Sequence, residues 1–461
     1  MNKSDEDLRK IVFSRFLRKI AVFLLIAGCM VLFLGHQAWS GQEKNVLTSQ
    51  LALELASKYN PVIMAADEQV KQSEAQLRQA KASRYPSLGT SLLYQRQGEE
   101  PVYPVFDLNG NPMGANAIHG FQTTYQAALD FTYLLYSGGA VKYNVQAKDL
   151  ALGAVKASAE RTRQSVDNGV YSAYYALQRA RARLEVAEEA FELAKEHLRE
   201  VNLFFKNGVV AKNQVLRVQV EVSDSELSRI KASNAVDVGW SGLERAVGTK
   251  LKDEYGLPEA KTTAEGFEEP ADIHGLAYRS RPELKALEKS RLSALALSKA
   301  AAGQGGPQIV LQGQTYVVDD EFFPDYQNDW KVSIAANWKF YDGGESRAKS
   351  AEAEAAAMEL LYRIEDLKKQ IDLELSEALL NLRSSAQRVA VAENQVESAE
   401  EDYRMATKRY NSQVGTNIDV LDARVALTNA RNQLVDSVYD VFQSRADLLF
   451  ALGTDYIPHL E

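Results

Sequence analysis

Asp419 and Asp422 stand three residues apart, which puts both carboxylates on one face of a helix. A pair of that kind can attract cations. A plainer reading fits as well: Thr416-x-x-Asp419 has the spacing of a helix-start cap, and an acidic Asp422 suits the positive first turn. The residues 205 positions earlier, Gln214 and Arg217, are not acidic. Other chemistry has little to draw on. His36, His119, His197, His274 and His459 are scattered without metal-ligand spacing. Neither a phosphate loop nor a nucleophile elbow is present. Asp107-Leu108-Asn109-Gly110-Asn111 opens like a calcium loop, but Ile118 stands at its twelfth position, and Asn109-Gly110 reads as a turn. Cys29 is the only cysteine, so neither a disulfide framework nor a zinc cluster can form. These residues predict no catalytic site, no metal site and no cofactor.

The chain has 461 residues, room for one large domain or two to three ordinary ones. Charged residues make up 25% of it, too many for a polytopic helical membrane protein. One apolar window, 20–34, follows Arg15, Arg18 and Lys19 and leads to Ala38-Trp39-Ser40, which reads as a signal peptide over 1–40 cut after Ser40. The stretch Ile26-Ala27-Gly28-Cys29 offers lipidation of Cys29 as the minor alternative. An uncleaved anchor helix is a third reading, disfavoured by the small-residue site. The net charge of −9 becomes about −12 without those forty residues, and an acidic exported chain argues against nucleic-acid binding.

The elements that must carry the aspartates are long helices. Val170, Leu177, Leu184, Phe191, Leu198 and Phe205 recur every seven residues, with Ala173, Ala180, Ala187, Ala194 and Val201 between them. That heptad specifies a left-handed coiled-coil seam. It returns as Leu375, Leu382, Val389, Val396, Tyr403 and Tyr410, with Ala378, Ser385, Ala392, Ala399 and Ala406 as its small positions. Helix is expected from Leu47 to Asn60-Pro61 and from Pro61 to Tyr85-Pro86. A helix of some 65 residues, about 100 Å, should run to Phe205, and another from Asn213 to Val247.

Ahead of each long helix the period changes to two. Leu88, Thr90, Leu92 and Tyr94 alternate with Gly89, Ser91, Leu93 and Gln95. Phe121 through Leu135 repeats the pattern, as do Ile309, Leu311, Thr315 and Val317, and then Trp330, Val332, Ile334, Ala336, Trp338 and Phe340. One face is apolar and the other polar, the signature of a transmembrane β-strand and equally of a half-buried soluble one. Tyr94, Tyr133, Tyr136, Trp330, Trp338 and Tyr341 are candidate interfacial anchors.

The programme runs twice. Pro61/Pro282 and Pro86/Pro307 are separated by 221 residues, and Tyr136/Tyr341, Leu216/Leu421 and Gly248/Gly453 by 205. Repeat one thus spans about 47–250, a Pro-bearing irregular connector 251–271, and repeat two about 272–454, all within a domain of 41–461. The sixteen extra residues fall around Gly98 to Gly120, where an exposed loop can grow. Four strands cannot close a barrel, since bacterial barrels use about eight or more, and an open sheet in lipid exposes unpaired backbone. Three copies supply twelve.

Asn60-Pro61, Tyr85-Pro86-Ser87-Leu88, the doubled Tyr136-Ser137-Gly138-Gly139 and Tyr341-Asp342-Gly343-Gly344, and Val414-Gly415-Thr416 before Asp419-Val420-Leu421-Asp422-Ala423 recur in a fixed order. With them the chain resembles the TolC-like outer-membrane efflux proteins over about Leu47 to Thr454. The resemblance implies a mainly α fold with a transmembrane β part: a homotrimeric twelve-stranded barrel continued by a periplasmic coiled-coil barrel. It implies an outer-membrane exit duct of a tripartite efflux or type I secretion system, embedded in outer-membrane lipid. Its partners would be a periplasmic adaptor and an inner-membrane pump of RND or ABC type. Asp419 and Asp422 match the aperture aspartates, six in a trimer, a ring that attracts cations and raises its members' pKa values. Gly208, Val209, Val210, Asn213 and Gln214, with Val414, Gly415 and Thr416, match the tips that meet the adaptor. A periplasmic coiled-coil adaptor, or a structural protein without a barrel, is the competing reading; four amphipathic strands and the full duplication oppose it.

Overall fold

The computed structural model describes residues 45–103, 105, 118–119, 122–258, 272–322 and 328–454. The leader with Cys29, Phe121, His36, His459 and the Asp107–Asn111 segment lie outside them. The described residues form two units. In the small one, β1 (Asn45–Val46) pairs in parallel with β6 (Tyr255–Gly256), so the connector read as irregular contains a strand. The large unit is built as follows.

Thr48 caps α1 (Ser49–Tyr59) by accepting from the Leu51 N–H, so the helix starts two residues after Leu47. Asn60 ends α1 and caps α2 (Pro61–Ala82), with proline at the first helical position. Strands β2 (Ser87–Arg96) and β5 (Thr123–Tyr136) form a hairpin, beyond which lies the short pair β3 (Val102–Tyr103) and β4 (Ile118–His119). Then come α3 (Ala140–Lys206) and α4 (Lys212–Val247). Repeat two gives α5 (Ile273–Ser280), α6 (Pro282–Gln304), β7 (Gln308–Asp319), β8 (Asn328–Asn337), α7 (Glu345–Asn411) and α8 (Asn417–Leu452). The long helices α3 and α7 have 67 residues each, and α4 and α8 have 36 each. Both pairs keep the 205-residue offset.

The sheet is antiparallel in the order β2-β5-β7-β8. Its register aligns the alternation across all four strands: Leu88, Phe131, Gly313 and Val332 share one row, and Thr90, Leu129, Thr315 and Trp330 the next. The opposite face carries Gly89, Asp130, Gln314 and Lys331, with Gln314 donating to Asp130 at 2.7 Å. The apolar face is bare; Leu92 is 83% exposed and Trp330 73%. Among the described residues, neither outer edge, β2 or β8, has a neighbour. Strand β8 ends at Asn337, short of the expected Trp338 and Phe340, because the chain leaves the ladder there. The Trp338 indole N–H instead donates to the Gly305 carbonyl at 3.1 Å.

Each hairpin passes into its long helix through a glycine pair at left-handed φ, +63° and +90° at Gly138-Gly139, +68° and +89° at Gly343-Gly344. A side chain there would carry a steric penalty, which explains why the doublet occurs twice. Asp342 secures the second copy by accepting from the Gly344 and Ser346 N–H groups and the Ser346 hydroxyl. The Ser346 hydroxyl foremost holds its carboxyl down at about 2.

The heptads form buried seams over much of their length, although Leu184, Phe191 and Leu198 are only half-buried and Phe205, at the end of α3, is exposed. Val170, Leu177, Ala194 and Val201 are buried in α3, as are Leu375, Leu382, Ser385 and Ala392 in α7. Within the unit α3 packs on α4 and α8, and α7 on α8; the upper part of α3 packs on α2 and α6, and α6 also on α7. The outer flanks of α4 and α7 are left with Leu216, Val220, Leu227, Ile230 and Val238 and with Leu373, Leu380, Val391 and Met405 exposed.

Candidate functional site

The two helix turns lie side by side at the far ends of the coiled coils, over one apolar core. Val201, Val218, Ala406, Tyr410, Val420 and Ala423 form it, with Val210 and Val215 packed against it. So Val210 is a packing residue, while Gly208, Val209 and Asn213 on one turn and Val414 and Thr416 on the other are exposed. Gly415 and Gln214 are half-buried, and the Gln214 Oε1 atom has no hydrogen-bond partner among the described residues.

The turns are built alike and finished differently. In the first, the Gly208 N–H donates to Phe205 and the Val209 N–H to Phe204, with Gly208 at φ +73°. In the second, the Gln413 N–H donates to Tyr410 and the Val414 and Gly415 N–H groups to Arg409. The left-handed residue there is Gln413, at φ +60°, rather than a glycine. Gly415 serves close approach: a Cβ on it would lie 2.9 Å from Arg409 Cβ and 3.0 Å from Tyr410 N.

Helix α4 starts at Ala211 with no side-chain cap, whereas α8 starts with a reciprocal one. Thr416 Oγ1 accepts from the Asp419 N–H at 3.2 Å, and Asp419 Oδ2 accepts from the Thr416 N–H at 3.0 Å. That backbone N–H, foremost, holds the Asp419 carboxyl below its ordinary range. Asp419 therefore does the capping work its spacing allowed, and its carboxylate remains fully exposed. Asp422 is exposed one turn on and makes no side-chain hydrogen bond or ion pair among the described residues.

Behind the turns lies a polar seam that the sequence did not announce. His197, 3% exposed, donates through Nε2 to Asn417 Oδ1 at 2.6 Å and stands edge-on to Tyr410. Burial holds its pKa below the ordinary imidazole value, Asn417 and Glu200 pull the other way, and Arg424 adds to the depression. Arg424, also 3% exposed, donates to the Ala190 carbonyl and to Ser225 Oγ, both at 3.2 Å, and pairs with Glu221. One guanidinium so ties α8 to both helices of repeat one. His197 sits one residue before the heptad position of Leu198, the one hint of its burial.

The outer membrane efflux protein family model matches residues 52–249 and 274–454. The chain is an outer membrane efflux protein. The match falls on the two repeats and skips the stretch between them. Nodulation protein T of Rhizobium leguminosarum bv. trifolii is 23% identical over 432 residues, covering 91% of this chain and 88% of that one. The alkaline protease secretion protein AprF of Pseudomonas aeruginosa is 23% identical over 295 residues, 62% of this chain and 60% of its own. Among solved structures, the outer membrane protein VceC of Vibrio cholerae superposes with a TM-score of 0.74 at 20% identity, covering 88% of this chain and 96% of VceC. This efflux protein is thus an outer-membrane channel, with a β part for the bilayer and a periplasmic helical extension. Members of its family are passive channels that assemble as trimers.

Proposed function

We propose that three copies close a twelve-stranded barrel and a helical tube that serves as the exit duct of a tripartite efflux or type I secretion system. A periplasmic adaptor meets the turns, and an inner-membrane pump of RND or ABC type drives export. The observation that carries this reading is the sheet itself. It has a continuous apolar face for lipid, a polar face for a water-filled lumen, and two open edges that only further copies can pair. The helices support it. Helix α6 is sandwiched between α3 and α7, whereas its repeat-one equivalent, α2, has α3 alone as a major partner among the described residues. Ala286, Ala296 and Ala300 are buried in α6; Ala65, Ala75 and Gln79, 221 residues earlier, are exposed in α2. The partner missing from α2 is α7 of the next copy.

In this reading Asp419 and Asp422 ring the aperture. Gly208, Val209, Val210, Asn213, Gln214, Val414, Gly415 and Thr416 form the adaptor-facing tips, with Val209 and Val414 as exposed apolar contacts. Residues 1–40 are the signal peptide, cut after Ser40, and the repeats are one functional domain. The decisive experiment is planar-bilayer recording of Asp419→Asn with Asp422→Asn. Loss of block by divalent cations, or altered conductance, is expected; wild-type behaviour in both removes the aperture role. Asparagine at 419 can still accept the Thr416 N–H, so the cap survives the test.

A further inference from the structure

His197 has no part in the duct as described, yet it is a buried titratable group joining α3 to the first residue of α8, 220 positions away. Because Asn417 Oδ1 accepts from Nε2, the neutral ring carries its proton there and leaves Nδ1 to be protonated. The groups facing it come from all four helices. Glu200, on α3, lies 3.8 Å from Nδ1. Tyr410 and Tyr403 come from α7, Arg424 from α8 and Glu221, through Arg424, from α4. Two further atoms in this seam, Tyr410 Oη and Asn417 Nδ2, are buried without hydrogen-bond partners among the described residues. The His197–Asn417 contact is therefore one neutral hydrogen bond, beside the separate tie that Arg424 makes to Ala190, Ser225 and Glu221. A second proton would put an imidazolium beside the Arg424 guanidinium. The Nε2–H bond to Asn417 survives that proton, but the charge is confined to a ring 3% exposed, and Glu200, 3.8 Å from Nδ1, has a side chain 41% exposed.

We propose that His197 is an acid-responsive tie at the aperture, whose protonation weakens the hold of repeat one on the start of α8 and lets the channel open. The proposal rests on the aperture reading above. The sign follows from the burial of the ring. With the tie made, the proton is held more weakly than by a free imidazole, so the tie is whole above the free value of about 6.5 and weakens as pH falls through and below it. Each pH unit separating the tied and released values shifts the equilibrium about tenfold.

The test is bilayer recording of the purified trimer, with the periplasmic side taken from about pH 8 to about pH 5. Wild type should gain open probability in acid. His197→Gln, which keeps an N–H donor for Asn417 but takes up no proton, should give a flat profile. Glu200→Gln should move the response to lower pH. An acid response of full size in His197→Gln belongs to other carboxylates, Asp419 and Asp422 among them, and overturns the proposal. Wild type that conducts at no pH sinks the duct reading instead. Amide exchange of residues 417–423, wild type against His197→Gln at each pH, then decides the tie alone. Faster exchange in acid in wild type only supports it, and matched exchange refutes it.

Discussion

Asn60 Nδ2 donates to the Ala246 carbonyl at 2.6 Å, and Arg281 Nε donates to the Ala451 carbonyl at 2.7 Å. These are the same joint in the two repeats, where a returning helix ends against the start of a shorter one. In repeat one it is a neutral amide. In repeat two it is a guanidinium, 1% exposed, that also pairs with Glu283 and Glu374, while Arg161 meets Glu283 at 3.1 Å. At the other end of these helices the repeats differ in kind: one turn is uncapped and free of acidic residues, the other capped, acidic and tied by His197 and Arg424. Duplication supplied one frame, and the repeats diverge in what they add at its joints. At mid-length the addition is a charge clamp; at the turns it is electrostatic and titratable.

Deletion at the joints should separate the repeats most. Arg281→Ala strands two part-buried carboxylates and should cost about 3–5 kcal/mol, against about 1–2 kcal/mol for Asn60→Ala. Thermal dissociation of the detergent-solubilised trimer measures both, and equal losses would break the comparison. At the turns the expected effect is smaller and of opposite sign in the two copies. Gln413→Gly relieves a left-handed backbone and should stabilise by about 1 kcal/mol, while Gly208→Ala should destabilise by a similar amount. Denaturant unfolding followed by amide exchange at each turn reads them out. The smallest effect is that of the cap. Asp419, with its pKa held down, supports α8 above the ordinary aspartate value near 4, and that support fades as pH falls through the lowered value. Exchange at Thr416 should quicken there in wild type, with no matching change at Ala211.

Much of the frame was legible because it is periodic. Val170 to Phe205 and Leu375 to Tyr410 announce seams by spacing alone, and the strands announce two faces by alternation. The offsets of 205 and 221 reappear in the helix starts, at Ala140 and Glu345 and at Pro61 and Pro282. Single residues with distant partners were not legible. His197 reads as one scattered histidine until α8 lays Asn417 against it. Arg424 follows a recognisable motif, yet its partners Ala190, Ser225 and Glu221 lie about 200 residues away. Gln413 shows a different failure. Glycine is the residue expected at left-handed φ, and here the turn forces glutamine into it while Gly415 meets a packing demand.

The open edges of β2 and β8 also govern how the protein comes into being. A lone subunit carries two strands of unmet N–H and C=O groups beside a largely apolar face, a surface that pairs with whatever strand it meets. Closure satisfies all of these at once and only when three subunits coincide, so the folded barrel is favoured by mass action, in proportion to the cube of the free subunit concentration. A partial assembly still has two raw edges and gains little. The subunit must therefore reach the membrane with its strands held back or shielded, and the finished duct, once its edges are spent, has no low-energy route by which a single subunit can leave.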